Sequence, residues 1–297
     1  MHVEERVLAH TPPLCPDNLF GHLVATAVPG VEEWHDGAYR RSVALPGGPG
    51  VVALRPGTRI TAELRVGDPA DADAAAELAR RVLDLDADPA TVDATLRADP
   101  ALRTLVDEAP GRRVPGSPDP EEFAVRAVLG QQVSTAAART HAARLVRGHG
   151  TPLPDGLAGA GSTLTHLFPT AAALTAVDPD ELGMPRTRKR TLLTLVAALA
   201  DGEVVLDRAD VPAARAALAA LPGIGPWTVD SVAMRALGDP DAFLPTDLGI
   251  RVAAERLGLP ARDRDLVARA EAWRPVRAYA VQYLWAALDH AVNTMPG

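Results

Sequence analysis

The sequence predicts an α+β protein, with a small antiparallel-sheet domain at the N-terminus followed by an all-α region of two subdomains. Three observations carry this. The first third of the chain holds short alternating or β-branched segments separated by glycine and proline turns. The last two thirds hold apolar residues at helical spacing. Between them, residues 109–120 are rich in proline, glycine and arginine and read as a connection.

Taken in order, residues 17–28 read as a helix. Residues 39–45, 50–54 and 58–66 read as strands, with turns at Gly47-Gly48 and Pro56-Gly57. Residues 71–85 form an amphipathic helix in which Ala74, Leu78, Val82 and Leu85 share a face. Residues 91–96 and 102–107 are short helices. Further helices are predicted over 119–130, 134–147, from near Pro169, and over 188–200, 211–221, 227–237, 247–257, 263–272 and 275–288. This divides the chain into a mixed N-terminal domain at 1–108, whose last helices can pack with the C-terminal ones. A linker at 109–118, a helical domain at 119–238 and a C-terminal helical subdomain at 239–297 follow.

Composition narrows the function. With 47% hydrophobic and 23% charged residues, the chain is of ordinary globular type rather than disordered. No apolar run approaches the ~18 residues of a membrane helix, and no apolar leader is visible, so the expectation is a cytoplasmic protein without membrane contact. The single cysteine, Cys15, excludes an internal disulfide, an iron–sulfur cluster and a thiolate zinc site. A net charge of −8 counts against a nucleic-acid partner, whose usual footprint is a basic domain. Net charge is an average, however, and binding needs one basic face. Lys189 is the only lysine, so arginine supplies the remaining positive charge, and arginine grips phosphate well.

The most informative stretch is Leu221-Pro-Gly-Ile-Gly-Pro-Trp-Thr228, between two predicted helices. Gly223 and Gly225 permit positive φ and close backbone approach, and Pro226 suits a first helical position. The amides at that helix start form an anion site suited to a DNA phosphate. A plain helix–helix turn with two glycines is the other reading. Some twenty residues on stands Phe243-Leu-Pro-Thr-Asp247. Asp247 reads either as the cap of the following helix or as a functional carboxylate, and the two roles are compatible.

The hairpin followed by Pro-Thr-Asp247 resembles the helix-hairpin-helix (HhH-GPD) DNA glycosylases, and among them the AlkA-type 3-methyladenine DNA glycosylase II family. Residues 123–134, Leu182-Gly-Met-Pro185 with Arg186, Arg188 and Lys189, Trp273 to Tyr279, and Tyr283-Leu-Trp285 resemble the family's glycosylase region. Thr11-Pro-Pro13 and Ala27 to Glu32 resemble its N-terminal domain. The resemblance implies a monofunctional glycosylase that flips alkylated purines, of the 3-methyladenine and 7-methylguanine class, out of duplex DNA. Asp247 is then the catalytic carboxylate that stabilises an oxocarbenium-like sugar. Trp227 and Trp285 match pocket aromatics; packing residues in the core are the plain alternative. Bifunctional relatives carry a lysine where Trp227 stands, so no lyase activity is expected.

Other positions depart from the family. Ser231 and Leu248 stand at pocket tyrosines and His22 at a phenylalanine, which implies a roomier, less aromatic pocket. Gln132 stands where the AlkA type has a leucine wedge. Gly223, Gly225, Thr228, Arg186 and Arg188 are the expected DNA contacts, and Arg113 a further phosphate candidate. The chemistry needs no cofactor; a Na+ or K+ ion held by the carbonyls of Ala219, Leu221 and Ile224 is the one metal the resemblance suggests. The expected partner is damaged double-stranded DNA, bound by a monomer associated with the nucleoid. A glycosylase for a deaminated or bulky lesion, and a non-catalytic binder of damaged DNA, are the alternative readings.

Overall fold

The computed structural model describes residues 1–297. An antiparallel sheet of five strands, β1 (His2–Leu8), β2 (Glu32–His35), β3 (Ala38–Leu45), β4 (Gly48–Arg55) and β5 (Ile60–Val66), has the order β1-β5-β4-β3-β2. Helices α1 (Asp17–Ala25) and α2 (Ala72–Val82) cover one face, burying Leu19, Phe20, Leu54, Leu64, Leu78 and Val82 in one core. Two of the strands escape sequence reading. β1 has three charged residues in a row at its centre, Glu4 to Arg6, at a sheet edge, and its partner β5 lies nearly sixty residues away, in the register Val3↔Arg65 to Leu8↔Ile60. β2 is four residues long and starts with two buried glutamates, Glu32 and Glu33. The β3–β4 turn lies one residue earlier than expected, because Gly48 pairs with Leu45 and Pro46-Gly47 form the loop.

The chain then leaves the sheet. Helices α3 (Pro89–Arg97) and α4 (Pro100–Glu108) are capped by Asp88 and Asp99, each followed by a proline at the first helical position. Their apolar residues Val92, Leu96, Leu102 and Val106 join a second core with Phe243, Ile250, Leu266 and Trp273 from the C-terminal helices. Two buried carboxylates fasten this union. Asp93 accepts from the Tyr283 hydroxyl at 2.8 Å and from the Gly111 amide at 2.9 Å. Asp99 accepts from the Trp273 indole at 2.7 Å, from its own cap amide at Ala101, and pairs with Arg269.

Most of residues 109–118 is packed rather than free. Arg113 is fully buried, donating to the carbonyls of Thr11 and Pro13, so it is not available to a phosphate. Gly111 adopts φ +78, and a Cβ there would meet the Pro13 carbonyl oxygen at 2.2 Å. Beyond lie α5 (Pro120–Leu129), α6 (Thr135–His149), the single turn α7 (Ala171–Leu174), α8 (Arg186–Ala200), α9 (Val211–Ala219) and α10 (Pro226–Val232). The last three helices are α11 (Leu248–Arg256), α12 (Asp263–Ala270) and α13 (Arg277–Ala286).

A third core gathers α5, α6, α8, α9 and α10 around Val128, Val146, Leu195, Leu199 and Leu218. Helix α10 runs on into a π-helical turn over Ala233–Leu237. There Val232, Ala236 and Leu237 enter the third core, while Ala233 and Met234 enter the second. The segment between α6 and α7 crosses the other sheet face, packing Leu157 and Leu164 on Val51. Its Ser162 and Thr163 hydroxyls donate to Glu33, locking sheet and helices together.

Asp99→Ala removes a cap and leaves a buried indole N–H unpaired. The expected loss is about 2–4 kcal/mol, read as a lower urea midpoint. Asp99→Asn, which keeps an acceptor at the cap, recovers part of it.

Candidate active site

Helix α9 ends at Ala219 and α10 starts at Pro226, so the hairpin spans only the residues between them. Gly223 adopts φ +85, and a Cβ there would sit 2.0 Å from Thr191 Oγ1 of α8. This glycine is required twice, by conformation and by space. Gly225 differs from the sequence expectation. Its φ is −93, which any residue adopts, and nothing lies within 4 Å of its Cβ position. What it offers is a bare, partly exposed amide at a helix start.

Thr228 was expected to face DNA but is turned inward. It is 2% exposed, and its Oγ1 accepts from Gln131 Nε2 at 3.1 Å. Gln131 Nε2 also donates to the Gly223 carbonyl at 3.2 Å, which ties the turn after α5 to the hairpin. Sequence reading passed over Gln131. Nothing local in the sequence marks it, because its partners lie more than ninety residues away. Gln132 is the exposed one, held at φ +55.

The arginines of α8 divide by helical phase. Arg186, Lys189 and Arg190 border one shallow surface depression, as residues three and four apart must. Arg188 points elsewhere. It is 9% exposed, with Nη1 unpaired, so its expected phosphate contact is not supported by its placement. Of the three carbonyls expected at a cation, that of Leu221 accepts the Ile224 amide at 3.2 Å, while those of Ala219 and Ile224 accept no hydrogen bond.

Asp247 precedes α11 and caps it, with Oδ1 accepting the Ile250 amide at 2.9 Å. Two indoles hold the same carboxylate. Trp285 Nε1 donates to Oδ1 at 3.0 Å and Trp227 Nε1 to Oδ2 at 2.9 Å. Tryptophans 20 and 38 residues away in sequence thus converge on one side chain. A carboxylate offers about four acceptor positions; three are filled, and the remaining capacity is on Oδ2. Gly249 makes room for this. A Cβ there would press on Asp247 Oδ1 at 3.1 Å and on the Trp285 indole at 3.3 Å. The sequence signal was a glycine, a poor helix former, in the first turn of a helix.

Both tryptophans also line a cavity of about 310 Å³ between the sheet domain and the helices. His22 of α1, Phe123 of α5, and Ser231 and Arg235 of α10 and its extension line it too. Asp247 is not itself a wall of this cavity; it accepts hydrogen bonds from the two indoles that are. Leu248 is not a wall either, contrary to expectation. With Asp247 turned back as the cap, the next residue projects outward, and Leu248 is 74% exposed.

The cavity's charges are uneven. Arg41 and Arg126 share a buried network with Glu32 and Glu122, at distances of 2.8–3.3 Å. Arg235 has no carboxylate partner. It donates to the Pro115 carbonyl at 2.6 Å, to His22 Nε2, and lies over the Phe123 ring at 5.2 Å. Burial, reinforced by the charge of Arg126, pushes its pKa down to about 9. Burial and then Arg235 hold His22 well below the ordinary histidine value, so the ring is neutral. Ser231 is 4% exposed, and its hydroxyl has no partner.

The two hairpin glycines give separable outcomes. Gly223→Ala is expected to cost about 1–3 kcal/mol through strained φ and the clash with Thr191. Gly225→Ala is expected to cost less than about 1 kcal/mol. Denaturation midpoints of the two variants decide this.

The comparisons with known proteins agree with this architecture. A family model described as the AlkA N-terminal domain matches residues 5–119. The chain is 35% identical over 275 residues to DNA-3-methyladenine glycosylase 2 of Escherichia coli, covering 90% of this chain and 92% of that protein. It is 51% identical over 286 residues to a Mycobacterium tuberculosis protein named "Probable bifunctional transcriptional activator/DNA repair enzyme AlkA". That match covers 96% of this chain but 57% of the relative, so the chain spans little more than half of that protein's length. In structure it resembles 3-methyladenine DNA glycosylase from Archaeoglobus fulgidus, with a TM-score of 0.78, 23% identity, and coverage of 95% of this chain and 97% of that one. By sequence along nearly its whole length, and by fold, this chain belongs to the AlkA family of DNA-3-methyladenine glycosylases.

Proposed function

We propose that this chain is a monofunctional DNA glycosylase that excises alkylated purines from duplex DNA. The observation that carries the proposal is the Asp247 carboxylate, fixed by the indoles of two tryptophans that also line the cavity. A target nucleotide must leave the duplex to expose its glycosidic bond. Its base enters the cavity beside Trp227 and Trp285, whose electron-rich faces suit a cationic alkylated purine. The exposed Gln132, at the tip of the turn after α5, fills the vacated stack. Amides of the hairpin and the start of α10 receive a backbone phosphate, and Arg186 contributes from α8.

As the bond to the base lengthens, positive charge grows on the sugar. The open acceptor position of Asp247 Oδ2 stabilises it electrostatically and orients the water that completes hydrolysis. The paired indoles prevent the carboxylate from rotating away, so the group is oriented before the substrate arrives. No lysine stands at the hairpin position, which Trp227 occupies, and the only lysine, Lys189, borders the surface depression on α8 rather than the cavity, so no Schiff base is expected. The reaction needs no cofactor. A monovalent cation at the hairpin would be held by the free carbonyls of Ala219 and Ile224 and would stiffen the turn.

The partner is double-stranded DNA carrying a damaged base, bound by a monomer in the cytoplasm. No helix is long and apolar enough to cross a membrane. The basic start of α8 supplies a local positive face on a chain whose net charge is −8, and amides at the hairpin add anion affinity without formal charge.

Single-turnover base release from methylated duplex DNA tests this. The wild type is expected to release 3-methyladenine and 7-methylguanine, with strand nicking only after alkali. Asp247→Asn is expected to slow release by roughly a hundredfold to a thousandfold. Trp285→Phe, which removes one donor to the carboxylate, is expected to slow it roughly tenfold. Undiminished release by Asp247→Asn, or tight DNA binding without release by the wild type, overturns the proposal.

A further inference from the structure

The hydrogen-bonding capacity left over in the cavity is lopsided. Glu32, the only carboxylate lining it, is already saturated. It accepts from the Val28 amide and the Tyr39 hydroxyl and pairs with Arg41 and Arg126. Arg235 carries donors only, as any guanidinium does. Its contact with His22 therefore requires His22 Nε2 to be the acceptor, which places the proton of the neutral ring on Nδ1. That Nδ1–H has no partner in the protein. The Ser231 hydroxyl, on the same helix face as Arg235, has none either. Trp227, Ser231 and Arg235 are spaced by four residues and share one face, so a base stacked on Trp227 extends along the other two.

We propose that His22 makes this cavity selective for 6-oxopurines over 6-aminopurines, its Nδ1–H donating to the base. The proposal rests on reading the cavity as the base pocket. A guanine-type ring presents two acceptors, N7 and O6, along one edge, whereas adenine presents N7 and an N6 amino donor. A fixed N–H facing O6 is satisfied; facing an amino group, it leaves two donors buried without partners. Sites built this way reject the mismatched base more strongly than a change in apolar volume does. The uncompensated Arg235 acts in the same sense, because it favours the negative end of a carbonyl dipole over an amino group. Guanine alkylated at N3 and deaminated adenine keep both O6 and N7 and fit the arrangement best; 7-methylguanine keeps O6 alone, and 3-methyladenine, with its 6-amino group, is expected to be the more weakly held of the lesions released.

Hypoxanthine and adenine, neutral purines of nearly the same shape that differ at C6, are the probes. Calorimetric titration of the free bases into the protein is expected to show hypoxanthine binding at least tenfold tighter. His22→Phe is expected to bring the ratio close to one. His22→Gln offers an oxygen to Arg235 and an N–H to the base, and is expected to restore selectivity. Equal binding by the wild type, tighter adenine binding, or selectivity that survives His22→Phe overturns the proposal. The measurement is independent of catalysis. Hypoxanthine selectivity without any base release from DNA overturns the enzyme reading and supports this one. Release of alkylated bases with equal binding of the two free bases does the reverse.

Discussion

The site depends on one carboxylate receiving two indole hydrogen bonds. Asp247 can cap α11 by itself, since a cap needs only a side-chain oxygen near the first free amides. Joining it to Trp227 and Trp285 demands much more. Helix α10 must lie correctly against α13, Gly249 must leave room for an indole, and the second core must set both helices. That core is assembled from both ends of the sequence, with Val92 to Val106 on one side and Phe243 to Leu284 on the other. Much of the all-α packing can be understood as what holds these three side chains in register.

The sheet domain contributes a wall to the cavity, and the way it is attached follows from charge. Glu32 and Arg41 on the sheet meet Glu122 and Arg126 on α5, the first three nearly out of contact with water and Arg126 half-buried at the cavity. Such groups are costly to bury, and loss of one partner strands the others. The network therefore specifies one relative placement of sheet and helices more than it adds stability. The cavity lies at that junction, where ligand sites commonly form.

Sequence reading reached the helical order, the hairpin and the Pro-Thr-Asp segment because each is local: a proline, a glycine or a cap leaves its mark within a few residues. It missed β1, whose pairing partner is distant and whose central run of charges, Glu4 to Arg6, breaks the apolar alternation of a strand. It also missed Gln131, Gly249 and the contact between His22 and Arg235, which are 213 residues apart. Leu248, Arg188 and Thr228 failed for a shared reason. Correspondence to a family position fixes where a residue is along the chain, but the direction of its side chain depends on helical phase and on which neighbour takes the cap.

The π-helical turn that continues α10 has a mechanical consequence. Because Ala233 and Met234 are embedded in one core while Val232, Ala236 and Leu237 are embedded in the other, this short stretch acts as an axle shared by both helical bodies. The bodies cannot swing apart without turning that axle, and Trp227 stands on the first turn of α10, the helix that runs into it. A motion wide enough to separate them would pull the indole from Asp247 Oδ2, so the geometry of the carboxylate is tied to the closeness of the two bodies.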